Sequence, residues 1–102
     1  MSDQPDRALF LGFVKLHILY HAGKEGVFGL EMIRELARHG YDLSPGTLYP
    51  LLHRMAAEGL LAVRPRLVGG RTRKYYTLTP AGAEALAQGR ARAGELLREI
   101  GE

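Results

Sequence analysis

The sequence predicts a mainly helical α+β chain in the order helix, helix, helix, strand, turn, strand, helix. Three observations carry this. Apolar residues recur at helical spacing in four stretches, the pattern switches to alternation around Val63, and a glycine pair stands where that alternating stretch reverses. At 102 residues, with 46% hydrophobic and 25% charged side chains, the chain has the size and balance of one ordinary domain. It has no cysteine, which excludes disulfides, thiolate metal sites and a cysteine nucleophile.

Residues 9–22 are apolar on nearly every side, broken only by Lys15, His17 and His21. Such a helix has to be covered on more than one side. In a chain this short, the second cover is expected from a partner molecule. Gly23 and Gly26 are expected to end the helix. Residues 29–39 read as a second helix, with Leu30, Ile33, Leu36 and Ala37 inward and Glu31, Arg34, Glu35 and Arg38 outward at ion-pairing spacing. Gly40 closes it, and Tyr41, Asp42 and Leu43 form a linker. Ser44-Pro45 starts the third helix, because serine caps free amides and proline is tolerated in a first turn. Leu48, Leu51, Leu52 and Met55 then fall on one face, and Gly59 ends the run. Pro50 removes one helical hydrogen bond, which predicts an irregular first turn rather than a break.

From residue 60 to 67 the period becomes two. Val68-Gly69-Gly70-Arg71 supplies a tight turn, and residues 73–78, with Tyr75 and Tyr76, return as the second strand. Pro65 is expected on an edge, since it donates nothing to a ladder. Thr79-Pro80 begins a last helix reaching about Ile100. Its seam is Gly82, Leu86, Gly89, Ala93, Leu96 and Ile100. Gly82, Gly89 and Gly94 weaken the helix on its own, while small residues let another helix approach closely. A helix of this kind after a hairpin is expected to dimerise.

Two helices joined by a short turn and followed by a basic hairpin make a winged helix-turn-helix. The division expected is a winged-helix DNA-binding unit over residues 1–80, with three helices and a two-stranded wing, and a dimerisation helix over 81–102. Charge supports this. Between residues 44 and 74 six basic residues face Glu58 alone, giving +5 in a chain whose total is +3. That concentration suits an anionic polymer, although a solvated basic face that binds nothing has the same composition. An α-helix fits the major groove of duplex DNA, and a hairpin tip reaches adjacent phosphates or the minor groove. On the third helix Thr47 and Tyr49 are placed to meet base edges or thymine methyls. His53 and Arg54 are placed to meet backbone, and Ser44 and Gly46 bring helix-end amides to a phosphate. Tyr49 has a second reading as cover for the core edge, and His53 as a solvent residue. Arg71, Arg73 and Lys74 surround the glycine pair, with Arg64 and Arg66 on the opposing strand. Six to ten neutralised phosphates in a dimer, by the general behaviour of such contacts, give an affinity that falls steeply with salt.

The competing functions are weaker. The four histidines accompany no carboxylate pair, nucleophile–base set or phosphate loop, so no enzyme is expected. His17 and His21 have a zinc-compatible spacing, but no third ligand is recognisable, and neither metal nor cofactor is assigned. An RNA-binding or protein-interaction module is the serious rival, because RNA or an acidic protein offers the same charge. Residues 1–6 are polar and lack the pattern of a secretory signal. No apolar stretch approaches the roughly 20 residues of a membrane span, so a cytoplasmic location without membrane contact is expected.

The runs Leu43-Ser44-Pro45-Gly46-Thr47-Leu48-Tyr49-Pro50-Leu51-Leu52-His53-Arg54-Met55 and Glu58-Gly59-Leu60-Leu61, with Gly69-Gly70-Arg71-Thr72-Arg73-Lys74-Tyr75-Tyr76-Thr77-Leu78-Thr79-Pro80-Ala81-Gly82, resemble the PadR family of bacterial transcriptional regulators. The resemblance covers roughly residues 9–86. It implies a winged-helix homodimer, held by its first and last helices, that represses transcription at palindromic operators. On that implication Phe10, Phe13, Val14 and His17 join Leu86, Gly89, Ala93, Leu96 and Ile100 at the dimer interface. Ser44, Gly46, Thr47 and Tyr49 fall on the recognition helix, and Arg71, Arg73 and Lys74 on the wing. Leu30 departs from the tyrosine or histidine common there, and the single helix after the wing fits the short branch. Multidrug-sensing members stack flat ligands on tryptophan, which this chain lacks. Phe10, Phe13 and Tyr20 are read as packing, and a small-molecule effector stays open and unidentified.

Overall fold

Burial along the first helix is one-sided in the computed structural model, which describes residues 6–101. The polar start of the chain lies, apart from Asp6, outside the described residues. Helix α1 (Arg7–Lys24) buries Val14, Ile18, Leu19 and Ala22 and leaves Leu9, Phe13 and Tyr20 exposed. The helix runs through Gly23, where a stop was expected. A Cβ there would meet the Leu78 side chain at 2.8 Å, so this glycine serves close packing rather than termination. Gly26, at φ 85°, makes the reversal.

The next element has no counterpart in the sequence pattern. Strand β1 (Val27–Phe28) pairs antiparallel with the returning hairpin strand, Val27 opposite Tyr76 and Phe28 opposite Tyr75. The wing is therefore part of a three-stranded sheet in the order β1-β3-β2. Helix α2 (Gly29–Arg38) follows at once. Its inward face is turned from the expected one: Met32 and Leu36 are buried and Ile33 partly so, while Leu30 and Ala37 face outward. Glu31 is taken up by the helix start, its Oε1 accepting from the Phe28 amide at 2.9 Å, and the ion pair that forms is Arg38 to Glu35 at 3.2 Å.

Helix α3 (Pro45–Ala57) buries Leu48, Leu51, Leu52 and Met55 and stays continuous through Pro50. In its first turn the amides of Thr47 and Leu48 share the Ser44 carbonyl, both at 3.0 Å. Ser44 does not cap with its side chain. Its hydroxyl lies 3.4 Å from the Thr47 hydroxyl instead.

Strands β2 (Leu61–Val68) and β3 (Arg71–Leu78) form the hairpin. Gly69 and Gly70, at φ 58° and 80°, make the two-residue turn that matches strand twist. Pro65 lies on β2, an edge strand, as expected. Helix α4 (Pro80–Ile100) is pinned at its start by Thr79. The Thr79 hydroxyl accepts from the Gly82 amide at 2.9 Å and donates to the Gly59 carbonyl at 2.5 Å. A Cβ at Gly82 would strike the Leu60 carbonyl, and one at Gly89 would strike Leu16. The first half of the α4 seam is thus used against its own chain.

The core lies between α1, α2, α3 and the root of the hairpin. Ile18, Met32, Leu36, Leu48, Leu52 and Met55 are enclosed there, closed on the sheet side by Tyr76. Each such side chain contributes about 1.5–3 kcal/mol by leaving water. Val14 belongs to the same set and is fully enclosed, so its expected place on a dimer face is corrected: it is a core residue of the protomer. Among the described residues no helix is long and apolar enough to cross a membrane.

Candidate nucleic-acid interface

The core contacts of α3 dictate what its other face presents. With Leu48, Leu51, Leu52 and Met55 turned inward, an outward stripe remains of Gly46, Tyr49, Pro50, His53 and Arg54, all exposed, flanked by exposed Ser44. Thr47 is half-buried at its edge. Because the Ser44 hydroxyl is not committed to a helix amide, the amino end of α3 keeps polar groups and the positive end of its dipole toward solvent.

Tyr49 is less free than its neighbours. It is 44% exposed, yet its ring lies on Gly29, where a Cβ would collide with it. Both readings of this residue thus have support: the ring covers the start of α2 while part of it remains open to solvent. Nearby, burial pushes the Tyr76 phenol above its ordinary value, and the Tyr49 hydroxyl adds to the shift.

Beyond its root the hairpin is exposed on both faces, so it projects from the body. Cross-strand partners share a face. The register sets Arg66 opposite Arg73, Val68 opposite Arg71 and Arg64 opposite Tyr75. One face of the wing therefore gathers Arg64, Arg66, Arg71 and Arg73. Lys74, expected beside Arg71 and Arg73, pairs with Pro65 and lies on the other face. No carboxylate occurs in the sequence between Glu58 and Glu84, so none from the wing itself can neutralise these arginines. Like charges directly opposite each other destabilise a sheet unless something relieves them. The Arg66 guanidinium finds partial relief 4.3 Å from the centre of the Tyr75 ring. Tyr75 is itself held, its ring against Phe28 and its hydroxyl donating to the Glu25 carbonyl. The short β1 strand thus anchors the base of the arginine face, a link with no local signal in the sequence.

The expected dimer residues divide into two groups. Leu86 is partly buried against the protomer's own core, and Gly89 packs on Leu16 of α1. Ala93, Leu96 and Ile100 remain exposed, as does Phe13, while Phe10 and His17 are half-buried. Leu97, absent from the expected set, is 65% exposed beside Ile100 at 66%.

A fold of this kind is found among proteins of known role. A PadR-like solved structure from Bacillus cereus matches with a TM-score of 0.84 at 32% identity, over 92% of this chain and 93% of that one. The transcriptional regulator Rv3488 of Mycobacterium tuberculosis is 53% identical over 87 residues, covering 85% of this chain and 81% of that protein. The transcriptional activator GvpE1 of Halobacterium salinarum is 44% identical over 62 residues, 59% of this chain and 30% of that longer protein. The family model for the transcriptional regulator PadR-like family matches residues 18–88, which include α2, α3 and the whole wing. With that match and the winged-helix architecture, this chain is a transcriptional regulator rather than an enzyme, and it belongs to the PadR-like family.

Proposed function

We propose that the protein acts in the cytoplasm as a homodimer that binds a palindromic operator in duplex DNA through α3 and the wing, and thereby represses transcription. The observation that carries the DNA-binding part is the wing face of Arg64, Arg66, Arg71 and Arg73, a single-sign surface without a local carboxylate. Phosphates are the counter-ions it fits. The exposed stripe of α3 supplies the groove-reading element. Thr47 and Tyr49 take the base edges, His53 and Arg54 the backbone, and Ser44 and Gly46 a phosphate at the helix end. Arg71 and Arg73 act from the arginine face, and Lys74 reaches backbone from the other side of the hairpin.

The dimeric part rests on apolar surface. Leu9, Phe13 and Tyr20 of α1 and Leu96, Leu97 and Ile100 of α4 are all exposed. Gly23, near the end of α1, packs on Leu78, just before α4 begins, and Leu16 packs on Gly89 within α4, so the two helices run antiparallel. Two further turns along each helix bring Leu9 level with Leu96. A second copy covering this face would bury apolar groups worth about 1.5–3 kcal/mol apiece. On this reading residues 81–102 form a dimerisation helix continuous with the winged unit. Repression is the family's tendency; GvpE1, named an activator, shows that a relative works in the other sense.

Selection of bound sequences from a random duplex library tests the proposal. An enriched palindrome with half-sites about one helical turn apart is expected. Absence of enrichment, or tighter binding of structured RNA in parallel competition, would refute it. Placing the operator upstream of a reporter then decides sign: reduced expression is expected, and a rise would make the protein an activator.

A further inference from the structure

The fold assembles a cluster that no single helix carries. His17 and His21 stand four residues apart on α1, and His39 follows the last residue of α2, where α2 packs on α1. The His17 and His39 rings stack with centroids 4.5 Å apart, and the His21 ring lies tilted to that of His39 at 6.5 Å. One ring nitrogen from each histidine can be chosen so that all three lie within 4.8 Å of one another. Glu35, one turn before His39, adds a carboxylate oxygen. Its Oε2 is 3.2 Å from His39 Nε2 and 3.7 Å from His21 Nε2.

We propose that His17, His21 and His39, with Glu35 as fourth ligand, form a binding site for a divalent transition-metal ion of the zinc class. Zinc bonds of about 2.0–2.1 Å in a tetrahedron put neighbouring ligand atoms about 3.4 Å apart. The two carboxylate–imidazole separations already bracket that edge. The widest imidazole separation has to close by about 1.4 Å, which rotation of partly exposed rings supplies. Three imidazoles and a carboxylate suit zinc and its neighbours rather than calcium or magnesium, which take oxygen. The neutral, ligating form of imidazole is favoured at two of the three, His17 and His21. Burial first, then His39 and His21, hold His17 below its usual value against the pull of Glu35. Burial likewise lowers His21, although Glu35 raises it. The surrounding cations do not occupy the site. Arg38 binds the other oxygen, Glu35 Oε1, at 3.2 Å, and the Lys24 ammonium lies over the Tyr20 ring at 5.4 Å. Such an ion would fasten α1, which carries the apolar dimer surface, to α2 at the entrance to the DNA-facing unit.

Direct titration of the full chain, stripped with chelator, tests this without reference to DNA. Zinc binding is followed by calorimetry and metal content per chain, and Co2+ by its visible spectrum. One zinc per chain and the intense visible bands of four-coordinate cobalt are expected. His39→Ala, checked for helicity, is expected to weaken zinc binding about 100-fold, and Glu35→Gln by about 10–100-fold. His53→Ala removes the one histidine outside the cluster and leaves the affinity unchanged. A cobalt spectrum of six-coordinate type, no stoichiometric zinc uptake, or equal affinity in the His39→Ala and His53→Ala chains overturns the proposal.

Discussion

The wing and the far end of α4 are both left unfinished by the protomer, but in different chemistry. Past its root the wing is charged, four arginines sharing one face with no acid on the hairpin. The far end of α4 is apolar, with Leu96, Leu97 and Ile100 open to water. In the first, like charge only partly relieved by the Tyr75 ring asks for an anion; in the second, exposed hydrocarbon asks for a second apolar surface. The roots of both elements are tightly made. Tyr76 and Tyr75 hold the wing to the core and to β1, and Thr79, Gly82 and Gly89 hold α4 to the α3–β2 turn and to α1. On the proposed reading the molecule presents two partner surfaces on fixed bases, and substitutions at tips and roots are expected to have different consequences.

The largest effect is expected at the apolar tip. Leu97→Asp with Ile100→Asp is expected to convert a dimer to a monomer in sedimentation velocity while leaving the helical signal nearly intact. Duplex affinity is then expected to fall by about 100-fold or more, because a monomer engages one half-site at a time. A dimer that survives the double change would move the interface elsewhere. At the charged tip, Arg66→Ala with Arg73→Ala is expected to weaken binding to all duplex sequences alike. The salt slope should flatten by about one unit for each phosphate that is no longer neutralised. A weakening confined to one sequence would make these residues base readers.

Root substitutions act on stability instead. Gly82→Ala drives a methyl toward the Leu60 carbonyl, a backbone atom that cannot step aside, and is expected to cost about 1–3 kcal/mol in denaturant unfolding. Tyr49→Ala sharpens the division, because its ring both packs on Gly29 and faces out. If Tyr49 reads a base, discrimination between operator and scrambled duplex falls by about 1–3 kcal/mol. An equal weakening on both duplexes would assign it to packing.

The smallest effect is expected at the Tyr76 root. Burial raises its folded-state pKa above the unfolded value of about 10, so its contribution to stability is present below that pH. It is lost as pH rises through the folded value, because the unfolded chain releases the proton first. Phenolate absorbance in the folded protein should show a late-titrating tyrosine that Tyr76→Phe removes.

Periodicity made the four helices and the hairpin legible, because each buries a face long enough to repeat. What it missed depends on contacts distant in sequence. Strand β1 has two residues, too few for any period, and exists because Tyr75 and Tyr76 offer it a partner. Gly23 looks like a helix stop until Leu78 is placed against it. The α4 seam, uniform in sequence, is divided in the fold, since Gly89 meets Leu16 of the same chain and Leu96 meets solvent. Val14 is indistinguishable from its neighbours on a helix apolar all round, and only the packing of α2 and α3 decides which side is inside. His39 has no local spacing to His17 and His21; the packing of α2 on α1 brings them together. On the wing, the residues were legible but not their faces. Strand register separates Lys74 from the arginines.

The mass of the protein alone and on a selected palindromic duplex tests the central claim most directly. Sedimentation at low salt is predicted to give two chains in solution and two chains per duplex, with half a palindrome binding far more weakly. A monomer that binds the half-site as tightly as the whole would contradict the account.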